Sequence, residues 1–98
     1  MRRGTTPTNI FNVDVDCTTA EAIYITYSQY GRTKFEKTIE DIDVTEETMS
    51  VKLTQEETLL LREGNVSIQI RVKFPDETAI ASNLIQTTSE KILKEGVI

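Results

Sequence analysis

Residues 66–74 read Val-Ser-Ile-Gln-Ile-Arg-Val-Lys-Phe. Val66, Ile68, Ile70, Val72 and Phe74 fall on one face of an extended chain, and Ser67, Gln69, Arg71 and Lys73 fall on the other. An apolar period of two matches a β-strand with one buried face, and a slip of one residue would turn every apolar side chain to water. A strand of this kind needs paired neighbours and a second layer to cover it, so the chain is constrained to a layered β fold.

The same alternation recurs elsewhere. Residues 9–15 set Phe11, Val13 and Val15 against Ile10, Asn12 and Asp14. Residues 22–30 set Ile23, Ile25 and Tyr27 inward and Tyr24, Thr26, Ser28 and Tyr30 outward. Gly31-Arg32 reads as a turn because glycine takes a positive φ at low cost. Residues 33–39 return with Phe35 and Ile39 inward, and Lys37 on the same inward face points to an edge strand or a nearby bulge. Met49, Val51 and Leu53 alternate again after the acidic stretch 40–47, where at most a short strand fits. Pro75-Asp-Glu-Thr78 makes a turn, and residues 79–88 supply the last strand.

One interruption is helical. Thr54-Gln-Glu-Glu57 is a capping box, in which the threonine hydroxyl accepts from the Glu57 amide and the Glu57 carboxylate accepts from the Thr54 amide. A short helix near residues 55–62 is expected to cross between sheets and plug one end with Leu59 to Leu61, Gly64 serving as its left-handed cap. The fold expected is all-β: an immunoglobulin-like antiparallel sandwich of six or seven strands with one crossing helix. A small open barrel is the second choice. Residues 1–8 are expected to form an extended, mobile arm, 9–91 the sandwich and 92–98 an apolar tail. A chain of 98 residues buries roughly 65% of its unfolded surface, enough for one core without metals or disulfides.

Chemistry is sparse. The chain has no histidine, which removes Ser-His-Asp and Cys-His nucleophiles. Its single cysteine, Cys17, cannot form an intrachain disulfide, has no cation near it in sequence to stabilise a thiolate, and fits a reducing compartment. Asp41, Asp43, Thr45 and Glu47 alternate as in a calcium loop, but Glu46 stands where glycine is needed and Lys52 where the bidentate glutamate belongs. The acids lie in turns, caps or outward positions, so neither an enzyme, a metal nor a cofactor is expected. A net charge of −5 lacks the basic excess that nucleic-acid binding needs, and no apolar run reaches the ~18 residues of a membrane span. Membrane insertion and an N-terminal signal peptide are likewise not expected.

Candidate contact residues come from a face and from the ends. Tyr24 and Tyr30 share an outward face, where aromatics can anchor a partner. Arg2 and Arg3 lie in the N-terminal arm. Ile92, Leu93, Val97 and Ile98 would be awkward in water, so the tail either packs on its own domain or enters a neighbouring subunit.

Arg2-Arg3-Gly4-Thr5-Thr6-Pro7-Thr8, Leu53-Thr54-Gln55-Glu56-Glu57-Thr58-Leu59, Val66-Ser-Ile-Gln-Ile-Arg71-Val, Ala81-Ser82 and Ile92-Leu93-Lys94-Glu95-Gly96-Val97-Ile98 together resemble small β proteins encoded in prophages of Gram-positive bacteria. These are tail- or baseplate-region products, similar also to the N-terminal domains of upper-baseplate proteins. The resemblance implies a virion structural or assembly role, with other tail or baseplate proteins as partners and self-association as a further option. It implies the host cytoplasm during assembly and then the virion as location. The chain departs from this pattern at Cys17 and at Pro75-Asp76-Glu77, where relatives place a glycine-containing turn. A host-facing module that holds a surface carbohydrate or protein is the alternative function.

Overall fold

The computed structural model describes residues 1–98. The protein is mostly β, with two antiparallel sheets packed across one core. The first sheet has the order β1 (Thr8–Asn12), β5 (Thr48–Lys52), β4 (Ile42–Val44). The second has the order β3 (Arg32–Thr38), β2 (Ala22–Gln29), β6 (Gly64–Lys73), and the far edge of β6 carries both β7 (Ala79–Ala81) and β8 (Ile85–Ser89). The alternation seen in the sequence sets the inner faces. Ile23, Ile25 and Tyr27 of β2 and Val66, Ile68, Ile70 and Val72 of β6 are buried against Met49, Val51 and Leu53. Burial of each such aliphatic side chain is worth about 1.5–3 kcal/mol. The Tyr27 and Phe35 rings stack at 4.5 Å on this inner face.

Lys37 is on an edge strand with a bulge nearby, as its inward position requires. β3 has no partner beyond β2, and their register shifts after Tyr27. The β2–β3 hairpin turns on Tyr30 and Gly31, which have φ of 51° and 75°; the turn therefore begins one residue earlier than expected.

Four expectations need correction. There are eight strands rather than six or seven, because the last strand is divided. β6 pairs with β7 in one register and with β8 in a register shifted by one residue, so residues 82–84 form a bulge. Ser82 sustains it: the Ile70 N–H donates to Ser82 Oγ at 3.0 Å, and the Ser82 N–H donates to the Ile70 carbonyl at 2.8 Å. β1 stops at Asn12, and Val15 is exposed rather than inward. The helix, α1 (Gln55–Leu59), is shorter than expected. It does carry the Thr54 capping box and joins the first sheet to the second, but it ends in a right-handed Leu60; only Leu61 of its three leucines is fully buried. Gly64 opens β6 instead of capping α1. Its φ of +131° and the Tyr30 hydroxyl lying over it both call for glycine.

Two buried polar side chains lock α1 and its exit. Lys37 Nζ lies 2.9 Å from both carboxylate oxygens of Glu57, whose Oε1 also accepts from the Thr54 N–H at 2.9 Å. Gln29 donates from Nε2 to the Arg62 and Asn65 carbonyls and accepts from the Arg62 N–H at 2.7 Å.

Candidate functional site

The two sheets are not closed along one side. β1 is an edge of the first sheet and β7 with β8 is an edge of the second, and a mainly apolar cleft of about 650 Å³ opens between them. Its floor is core: Met49, Ile70, Val72 and Cys17. Its rims are Ile10–Val15 on one side and Ile80–Asn83 on the other.

Both rims present unpaired backbone. Pro7 and Val13 bond to Leu53 and Glu47, the residues that flank β5. An antiparallel ladder alternates, so Asn9 and Phe11 face β5 while the N–H and C=O of Ile10 and Asn12 point away toward the open edge. By the same alternation the Phe74–Thr78 and Ile70–Ser82 bonds turn the backbone of Ala79 and Ala81 outward.

The N-terminal segment, expected to be mobile, closes the far end of this edge. Met1–Arg3 runs parallel to the chain leaving β8, with Glu90 N–H donating to the Met1 carbonyl at 2.9 Å and Arg3 N–H to the Glu90 carbonyl at 3.1 Å. The Met1 ammonium donates to the Thr88 carbonyl at 2.6 Å. Arg2 pairs with Glu90 and donates to the Lys91 carbonyl. Arg3 is engaged within its own chain, donating to the Leu61 and Leu59 carbonyls at the end of α1 and to both oxygens of Glu95.

The tail is docked at several points, its side chains bare at others. A Gln55 clasp holds Ile98 by its N–H at 2.9 Å and its carbonyl at 3.2 Å, and Ile92 lies close beside Gly4. Leu93 is 96% exposed, Ile98 87% exposed and Val97 half-exposed.

Tyr24 and Tyr30 are not brought together. Tyr24 lies half-exposed on the outer face of β2 between Thr38 and Arg71, whereas Tyr30 is at the hairpin tip six residues on, about 20 Å along the strand direction. The depression between them is lined by Thr26, Ser28, Ser67 and Gln69 and has no aromatic side chain in it. Asp41 is engaged with Thr38 and Asp43 faces solvent, so the alternating carboxylates do not converge on one point.

Charge is unevenly distributed around the cleft. The loops at that end of the sandwich, residues 13–21, 45–47 and 74–78, hold Asp14, on the cleft itself, with Asp16, Glu21, Glu46, Glu47, Asp76 and Glu77. Lys73 at the end of β6 pairs with Glu21 and Glu77, and the other five carboxylates have no ion pair. Hydrogen bonds from the Thr18 hydroxyl and amide hold the Asp16 carboxyl below its usual range, and the Thr78 backbone does the same for Asp76. The Cys17 thiol is buried and donates to the Val15 carbonyl; burial, and then the Asp16 charge, push it up from its ordinary value.

Strand alternation and the acidic loops were legible in the sequence. The cleft was not, because it arises where two edges far apart in the chain fail to meet. Compared with protein-family models, curated proteins and solved structures, the chain matches none.

Proposed function

We propose that this protein is a non-catalytic structural or assembly subunit that binds another polypeptide by strand addition along β1. One observation carries this function: an apolar cleft reaching the core, flanked by two strand edges with unpaired N–H and C=O groups. An extended peptide laid there gains ladder hydrogen bonds from its main chain and covers apolar surface with alternate side chains.

The strand order supports an immunoglobulin-like sandwich. An immunoglobulin domain sets strands A, B, E and D against C′, C, F and G. The order β1-β5-β4 against β3-β2-β6-β7/β8 follows B-E-D against C′-C-F-G, with α1 at the E–F crossing. The position of strand A is the cleft. The resemblance to phage tail and baseplate proteins sets the role in a particle that assembles in the host cytoplasm from repeated protein contacts.

The test is amide chemical shifts of the isotopically labelled protein during titration with a panel of extended eight-residue apolar peptides. Shifts at Ile10, Asn12, Ala79 and Ala81, with new exchange protection at Ile10 and Asn12, are expected from at least one of them. If none moves those amides at millimolar concentration, the strand-addition function is refuted.

A further inference from the structure

We infer that the segment filling the cleft is the C-terminal tail, residues 91–98, of a second copy of this chain, so that copies join head to tail. This rests on the strand-addition function above and names its occupant.

Direction comes first. β1 runs toward the acidic loops, since residues 13–21 follow it. A strand antiparallel to β1 therefore enters between those loops and runs inward toward Thr8. A tail donated from another copy would enter with Lys91 and Lys94 and finish on Val97 and Ile98. Its basic part would then lie near the acids at that end, and Ile98 would turn to the inner face. Its carboxylate would point toward the end of the edge that holds the Met1 ammonium and Arg2.

Register comes next. Ile10 is 65% exposed on the outer face of β1 with no cover in its own chain. Placing Val97 opposite Ile10 makes an apolar cross-strand pair from two side chains that are otherwise wet. The same register sets Ile98 beside Asn9 and Gly96 beside Phe11 on the inner face, where glycine admits close packing. Lys94 then falls opposite Val13 on that same inner face, its stem lying along the apolar rim and its ammonium reaching out toward the acidic loops. Ile10 and Asn12, whose backbone points to the open edge, become the hydrogen-bonded positions.

Length agrees as well: with Ile98 beside Asn9, residues 95–98 cover Asn9–Asn12 of β1, and residues 91–94, extended over about 13 Å, remain to bridge between copies. Within one copy the tail is held by side-chain contacts: a Gln55 clasp on Ile98, the Arg2 bond to the Lys91 carbonyl and the Arg3–Glu95 pair, whose exposed partner is Glu95; each is exchangeable for ladder bonds. The contact joins a different patch on each partner, so it is heterologous and leaves a free cleft at one end of any chain of copies and a free tail at the other.

The experiment is light scattering behind a sizing column on the full chain, on Val97→Asp and on Ile10→Asp, both changes at exposed positions. The full chain is expected to give concentration-dependent multiples of 11.1 kDa, and each variant alone the single-copy mass. An equal mixture of the two variants is expected to give a one-to-one dimer and nothing larger, because Ile10→Asp still offers a tail and Val97→Asp still offers a cleft. A mixture that stays at the single-copy mass, or variants that assemble as the parent does, overturns the inference. The synthetic peptide Lys91–Ile98, titrated onto Val97→Asp, separates the two levels. If other peptides shift the Ile10 and Asn12 amides and this one does not, only the occupant is wrong; if no peptide does, strand addition itself fails.

Discussion

Glu57 is expected to matter because of the charge it neutralises more than because of the helix it caps. Lys37 has a side chain only 9% exposed, and its ammonium has both Glu57 oxygens at 2.9 Å and no other anion in contact. Glu57→Gln keeps a capping-box side chain for the Thr54 N–H but leaves the ammonium unpaired in the core. Breaking a buried pair from one side costs about 3–5 kcal/mol. Glu57 is 20% exposed, which admits some water and points to the lower end, about 3 kcal/mol. Lys37→Met removes the charge while keeping an unbranched apolar chain, and the remaining carboxylate still accepts from Thr54 at the solvent side. That change should fall within about 1 kcal/mol of neutral. The double variant should recover most of the Glu57→Gln loss. Urea denaturation followed by far-ultraviolet circular dichroism measures all three. In melting temperature the single loss corresponds to a fall of about 12–24 °C for a domain of this size. A Lys37→Met variant as damaged as Glu57→Gln, with no recovery in the double, would show that the pair itself supplies the stability and that the reasoning is wrong.

Gln29→Leu keeps the volume but strips partners from the Arg62 N–H and from the Arg62 and Asn65 carbonyls, so a loss of about 2–3 kcal/mol by urea denaturation is expected. Tyr27 is pushed up to about 12 from an ordinary value of 10, chiefly by burial, with the Asn9 hydrogen bond opposing and the Glu57 charge assisting. The folded chain therefore keeps this proton longer than the unfolded chain does. The stability linked to it is whole below pH 10 and declines by roughly 2–3 kcal/mol as pH rises through about 12. Ultraviolet titration should show one of the three tyrosines ionising near pH 12, and an early, complete transition would contradict the buried placement. Glu77 holds a left-handed φ of 71° in the β6–β7 turn, so Glu77→Gly should raise stability by about 0.5–1 kcal/mol despite losing an exposed contact with Lys73. A thermal melt checks the sign.

How much could be read in advance follows from how local each signal is. The inner faces of β2, β5 and β6 were legible because a period of two is written residue by residue. The Thr54 capping box was legible because its partners are three residues apart. The end of α1 was misplaced because Arg3, from the far end of the chain, takes the Leu59 and Leu61 carbonyls that a glycine cap would otherwise have served. The division between β7 and β8 was hidden because a serine hydroxyl stands in for a backbone carbonyl, a substitution that leaves no periodic trace.

By itself, then, the sequence determined the inner faces of β2, β5 and β6 and the capping box of α1, since these depend on side-chain type and short-range spacing. Only the tertiary structure decided that Lys37 meets Glu57, that Met1–Arg3 seals one end of an edge, and that β1 and β7 stay apart over an apolar floor. Each of these joins residues twenty to ninety positions apart. Pairing at that range is set by which edges the sheets bring side by side, and the linear order of residues carries no direct mark of it.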